Sequence, residues 1–208
     1  EMAFPAWHHL NIYDYRDGAK LYPFLTSITG RGCRYRCSYC QIPQVMNGHR
    51  YRTRSVENVV DEMAYDLKLF PSLKEIMFED DTFTLSRYFP RLEKICKGIP
   101  DRKIKISWSC NARPDIQDFS ILKLMKKSGC RMMCVGFESG DEKMLENLKK
   151  GITLDKMKNF AALCRKAGIS VHGCFVIGGP GETQDSIKRT VRFAAALPID
   201  TVQFSGLC

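Results

Sequence analysis

The chain has 208 residues, of which 44% are hydrophobic, with a formal net charge of +9 and ten cysteines. That is enough apolar chain for one sizeable core in a single domain. No run of 18 or more apolar residues occurs, so a membrane-spanning helix is not expected. The opening E-M-A-F-P-A-W-H-H-L lacks the basic start and apolar core of a signal peptide. The cysteines therefore read as reduced thiols of a cytoplasmic protein rather than as a secreted disulfide framework.

In chain order, apolar strand-like runs alternate with amphipathic helical runs. Residues 21–29 predict a strand that leads into G-R-G-C-R-Y-R-C-S-Y-C-Q. Val59, Val60, Met63 and Leu67 recur at helical spacing, predicting a helix over 56–70 with Ser55 as N-cap. A short strand at 75–78 and a helix over 86–97, ended by Gly98, come next. A strand at 103–109 is followed by a helix over 118–128 closed by Gly129. The strand 131–137 precedes two helical runs, 141–149 and 153–167, the second stopped by Gly168. A strand at 170–177, a helix over 183–197 and a strand at 201–206 complete the series. Strict alternation implies an α/β fold with a parallel sheet and right-handed crossovers. No G-x-G-x-x-G opens the first helix, so a dinucleotide-binding sheet is not supported. A partial (β/α)6 TIM-like barrel fits better, which puts a site at the C-terminal ends of the strands.

Cys33, Cys37 and Cys40 are the most informative residues in the chain. The spacing C-x3-C-x2-C can hold three corners of a cubane iron–sulfur cluster, whereas electron-transfer clusters normally take four thiolates. The next cysteine is Cys96, so one iron would stay open to a small molecule. A structural zinc site completed by His49 is the alternative for the same thiols. Polar motifs follow the other predicted strands: Glu79-Asp80-Asp81, then Ser109, Asn111 and Arg113, then Glu138 in G-F-E-S-G, and finally V-I-G-G-P-G-E-T. Glycines in that last run permit close backbone approach to a ligand. No catalytic residue can be assigned.

The cysteine motif, with Tyr39 before its last cysteine, resembles the signature of the radical S-adenosylmethionine superfamily. The F-E-D-D-T-F segment and the start P-A-W-H-H-L-N-I-Y-D-Y resemble its cobalamin-associated branch, which includes methyltransferases and the anaerobic magnesium-protoporphyrin cyclase. The resemblance implies a 4Fe-4S cluster on Cys33, Cys37 and Cys40, with S-adenosylmethionine on the open iron. Reductive cleavage would give a 5′-deoxyadenosyl radical that takes hydrogen from an organic substrate, leading to methylation or ring formation. It implies S-adenosylmethionine contacts from Glu79, Asp80 or Asp81 (ammonium), Ser109, Asn111 and Arg113 (sugar or carboxylate) and Glu138 (ribose). Tyr39 would close one side of the adenine, with Ile177 and Gly178 on the other.

The same resemblance makes residues 1–20 a linker from an N-terminal, cobalamin-binding domain. Residues 21–208 become the radical core, truncated at its C-terminus. The implied partners are a small-molecule substrate, lipid- or tetrapyrrole-like, and an electron donor such as flavodoxin or ferredoxin. A methylthiotransferase acting on RNA or protein is the alternative enzyme, and a zinc-stabilised binding module the non-enzymatic one. Arg31, Arg34, Arg36, Arg50, Arg52 and Arg54 crowd the cysteine loop, which keeps a nucleic-acid partner open. The remaining cysteines read as core, with Cys208 a weak candidate for a ligand or relay thiol.

Overall fold

The computed structural model describes residues 3–207. Its strands are β1 (Phe24–Ser27), β2 (Gly30–Arg31), β3 (Arg52–Thr53), β4 (Glu75–Phe78), β5 (Ser107–Ala112), β6 (Cys130–Glu138), β7 (Ser170–Ile177) and β8 (Thr201–Gly206). Its α-helices are α1 (Val56–Leu69), α2 (Phe89–Asp101), α3 (Phe119–Lys127), α4 (Glu142–Asn147), α5 (Leu154–Ala167) and α6 (Gln184–Ala196). The main sheet runs β1-β4-β5-β6-β7-β8, and every neighbouring pair is parallel. Spatial order equals chain order, with a helix in each crossover, so the sheet winds in one direction as an open barrel.

Ser55 caps its helix as the sequence predicts, and the first residues of three other predicted helices prove to be their N-caps. Ser55 accepts a hydrogen bond from Asn58 N, Asp118 from Ser120 N and Thr153 from Lys156 N. Thr183 and Ser186 form a reciprocal capping box at the start of α6. Gly168 ends α5 in the left-handed region, at φ 73°.

Several element boundaries differ from expectation, and one strand pair is new. The strand predicted at 103–109 begins only at Ser107. Its early apolar residue Ile104 is buried by a loop, with Ile104 N bonded to Ile99 O at 3.1 Å. Gly98 does not end its helix, which runs on to Asp101. It is a close-packing glycine, since a Cβ there would meet Val60 Cγ2 at 3.2 Å. The antiparallel pair β2/β3 was not anticipated, because two residues per strand carry no periodicity.

The sheet's outer face packs on the helices through Ile76, Phe78, Trp108, Met133, Val135, Phe137, Val171 and Phe175. Phe78 stacks on Phe83 at 4.7 Å, and both meet Trp108 edge-on at 5.4 and 5.8 Å. Each such pair adds about 1 kcal/mol beyond its buried area. The alternate residues of β6 and β7, among them Cys134, Gly136, His172 and Cys174, point into the concave interior and are half-buried. β8 is exposed along its length. Among the described residues no helix is long and apolar enough to cross a membrane.

Candidate active site at the cysteine loop and strand ends

The cysteine loop leaves β1 through β2 and returns through β3, so the short antiparallel pair closes its neck. Gly32 makes this closure sterically feasible. Its φ of +95° is open mainly to glycine, and a Cβ would lie 2.2 Å from Arg50 O. Cys33 N donates to Gly48 O at 3.1 Å, and Cys40 N to Cys37 O at 3.2 Å. Gln44 Nε2 ties the carbonyls of Cys37, Ser38 and Cys40 at 3.3, 3.4 and 2.9 Å. Cys33 and Cys37 are buried, while Cys40 is half-exposed.

Two of the sulfurs also have polar neighbours. Thr82 Oγ1 lies 3.8 Å from Cys33 Sγ, and Arg113 Nη1 donates to Cys37 Sγ at 3.6 Å. Burial raises the Cys40 thiol, and a hydrogen bond from Ile42 N opposes that. A cationic donor beside a ligating thiolate suits an anionic iron–sulfur cluster. Among the described residues, Cys33, Cys37 and Cys40 do not form a group with all ligand atoms within 4.8 Å. One tetrahedral zinc would bring thiolates to about 3.8 Å of each other. His49, the fourth ligand a zinc site on these thiols would take, is exposed.

The rim opposite the loop is built by β6. Glu138 ends the strand with φ 69°, an uncommon conformation for a residue with a side chain, and its Oε1 accepts from Lys150 Nζ at 2.7 Å. Both side chains are buried, at 8% and 4% exposure. Gly136 leaves room for this pair, since a Cβ there would sit 2.3 Å from Glu138 Oε1. Tyr39 reaches the same carboxylate from the cysteine loop. Burial, with the charge of Glu138 nearby, pushes the phenol well above its ordinary range. Loop and rim therefore meet at one carboxylate. Glu79 is exposed, and its Oε2 accepts from Asn111 Nδ2 at 3.1 Å. Ile177 is half-buried at the end of β7, and its carbonyl accepts from Leu207 N at 2.8 Å. Gly178 follows at φ 94°, its N–H donating to Glu182.

Four candidates turn out to have other partners. Asp80 is fully buried, accepting from Thr29 N at 2.6 Å, Thr29 Oγ1 at 2.7 Å and Tyr51 OH at 2.8 Å. Burial pushes its carboxyl up, and those donors pull it back. Asp81 holds the cysteine loop, accepting from Gly32 N at 2.6 Å and from Asn47 Nδ2 at 3.0 and 3.1 Å. Arg113 is not a free partner for a ligand carboxylate. Its Nε already donates to Asp115 at 2.8 Å, its Nη2 donates to Lys150 O at 2.6 Å, and its guanidinium lies 3.6 Å over Tyr35. Ser109 lies deep in the barrel, hydrogen-bonded to Glu75 and 3.1 Å from Met77 Sδ. In each case the side chain is engaged by a protein partner in this structure. Cys208 lies outside the described residues.

Sequence reasoning missed Lys150, Tyr35 and Asp115. Lys150 looks like half of a solvated lysine pair, and only the turn between α4 and α5 buries it. Tyr35 donates to Asp115 at 2.6 Å, and burial with that carboxylate raises its pKa to about 12. Together with Arg113 they clamp the loop to the barrel.

A parallel open barrel with three cysteines in the loop after its first strand, facing a carboxylate at the tip of the fourth strand in sheet order, defines a class of cluster-dependent enzymes. The chain belongs to the Radical SAM superfamily, whose family model matches residues 27–194. That family carries a 4Fe-4S cluster and S-adenosylmethionine. An uncharacterized methyltransferase of Pyrococcus horikoshii is 34% identical over 206 residues, 99% of this chain and 43% of that protein. The anaerobic magnesium-protoporphyrin IX monomethyl ester cyclase of Cereibacter sphaeroides is 30% identical over 79% of this chain and 27% of its own. Among solved structures, the radical S-adenosylmethionine methyltransferase TsrM from Kitasatospora setae, with cobalamin and a [4Fe-4S] cluster bound, superposes with a TM-score of 0.76. It shares 27% identity over 88% of this chain and 34% of that one. The chain thus spans less than half the length of each.

Proposed function

We propose that this chain is the core of a radical S-adenosylmethionine enzyme that methylates, or closes a ring on, a small organic substrate. The observation that carries this is the meeting of the cysteine loop and β6 at Glu138, which puts a braced thiol triplet beside a buried carboxylate. The cluster, when bound, supplies one electron that cleaves S-adenosylmethionine to the 5′-deoxyadenosyl radical.

The protein's residues do the holding. Cys33, Cys37 and Cys40 ligate three irons, and Arg113 offsets charge at Cys37. Glu138, fixed by Lys150, accepts the ribose hydroxyls, a task for a carboxylate with two oxygens. Ile177 and Gly178 line the adenine, with Tyr39 on its other side. Glu79, oriented by Asn111, takes the ammonium. Asp80, Asp81 and Ser109 position backbone and have no ligand role in this reading.

Methyltransferase and cyclase relatives support those two outcomes, and the cobalamin in the TsrM structure supports a flanking cobalamin-binding domain joined through residues 1–20. A cytoplasmic setting and a flavodoxin- or ferredoxin-like donor complete the proposal.

Anaerobic reconstitution with iron and sulfide, then dithionite and S-adenosylmethionine, tests it by the yield of 5′-deoxyadenosine. Product that disappears in Cys33→Ala, Cys37→Ala and Cys40→Ala is expected. A colourless protein that retains zinc on those cysteines and makes no product sinks the proposal.

A further inference from the structure

A second thiol cluster lies in the barrel interior, separate from the cysteine loop. Cys134 on β6 and His172 on β7 are register partners, and Cys174 lies one step further along the same face of β7. Parallel pairing with alternating side chains forces all three onto the concave face. The ligand atoms of Cys134, His172 and Cys174 lie within 4.8 Å of one another. The two sulfurs are 3.6 Å apart, whereas bonded sulfurs would be closer to 2 Å. Tetrahedral zinc with bonds of about 2.3 Å separates two thiolates by about 3.8 Å. The observed spacing is that of an S–H···S contact between free thiols and also matches two thiolates on one ion.

The imidazole is already oriented from outside. Its Nδ1 lies 2.8 Å from Thr201 Oγ1 on β8, which leaves Nε2 to ligate. Nε2 has only a long contact, 3.4 Å, to Gln203 Oε1, which a metal would displace. A hydrogen-bond acceptor for the far ring N–H is the usual arrangement behind a metal-bound histidine, and the Thr201 hydroxyl can serve as one. All three residues are half-buried, so an ion can reach them through the open interior. The ordinary explanation for such cysteines is core packing. It fails for these two because the packed core uses the opposite face, through Met133, Val135 and Phe175.

We propose that Cys134, His172 and Cys174 form a mononuclear site for a thiophilic divalent ion, with zinc as the reference. Three protein ligands leave the fourth position facing the barrel interior, the pattern of sites that bind water or a substrate atom rather than purely structural ones. The site lies below the rim where Glu79 and Glu138 sit, in the space a substrate has to enter. A substrate donor atom on the ion would be held beneath the reactive rim.

The test is run on the full chain carrying Cys33→Ala, Cys37→Ala and Cys40→Ala, under reductant and without oxygen. Its outcome is thus independent of the radical chemistry. Titration with Co²⁺ should give one bound ion per chain, a thiolate-to-cobalt charge-transfer band and the intense visible bands of tetrahedral cobalt, all lost on adding Zn²⁺. Cys134→Ser, Cys174→Ser and His172→Gln should each weaken binding about 100-fold or more, and Thr201→Ala about 10-fold. Cys164→Ser, a buried cysteine outside the cluster, should change nothing. Should the triple-alanine chain not fold, elemental analysis of the cluster-reconstituted parent reads the same site. One zinc beyond the iron is expected there, lost in Cys134→Ser. Cobalt bound without a thiolate band, no binding at all in a folded chain, or binding that ignores Cys134 and Cys174 would each overturn the proposal.

Discussion

Glu75 and Glu79 stand four residues apart at the two ends of one strand segment, yet they belong to different chemistries. Glu75 lies at the barrel floor, fully buried. It accepts from Arg131 at 2.9 and 3.1 Å and from Leu21 N at 2.8 Å, with Ser109 also bonded to it. Glu79 lies at the rim, exposed, with Asn111 as its side-chain neighbour. The floor carboxylate has its acceptor capacity filled by protein donors and so fixes the sheet. The rim carboxylate keeps capacity for a ligand. A buried charge is tolerated only when paired, whereas a functional charge has to be left incompletely paired.

Removing the floor cation should produce the largest effect. Arg131→Ala leaves Glu75 buried and unpaired, and chemical denaturation should register a loss of about 3 kcal/mol. The S-adenosylmethionine affinity of the remaining folded protein should be unchanged. A loss of affinity at unchanged stability would erase the distinction between floor and rim.

The converse variant is Gly136→Ala. Its methyl collides with Glu138 Oε1, displacing a carboxylate that accepts charge-assisted hydrogen bonds. S-adenosylmethionine binding, followed by calorimetry, should weaken about 100-fold while the cluster still assembles.

A third carboxylate sharpens the comparison, because it has burial without donors. Asp66 in α1 is fully buried, its oxygens lack hydrogen-bond partners, and burial with Glu62 nearby raises its pKa to about 7. The unfolded chain ionises this group near its ordinary value and the folded chain only near 7. Its contribution therefore erodes stability as pH rises from about 4 to 7. Asp66→Asn should stabilise the protein by about 2 kcal/mol at pH 8 and by little at pH 4, in paired thermal melts. Equal shifts at both pH values would refute the assignment.

The smallest effect belongs to the rim. Glu79→Gln should leave stability within about 0.5 kcal/mol and weaken S-adenosylmethionine about tenfold through the lost charge.

Much of this was legible in one dimension. The alternation of strands and helices, the cap at Ser55 and the stop at Gly168 are local choices, made by residues that interact within a turn of one another. The cysteine motif is equally local. The acidic triplet was legible only as a triplet. Nothing in Glu79-Asp80-Asp81 says that the middle acid turns inward to Thr29 and Tyr51 or that the last is taken by Gly32 and Asn47, since those partners are 29 to 51 residues away. The partners of Arg113 and Ser109 are likewise distant in sequence, 76 residues for Arg113 and Cys37 and 34 for Ser109 and Glu75.

By itself, the sequence determined the parallel α/β order, the loop that carries three thiols and the presence of an acid after each of two strands. These follow from periodicity, spacing and turn chemistry. Tertiary structure alone decided which acid is buried and which stays exposed at the rim, that Lys150 pairs with Glu138, and that Cys134, His172 and Cys174 converge although 38 residues separate the first from the second. Parallel pairing sets neighbours by register across long crossovers, and register is a property of the packed sheet rather than of any one segment.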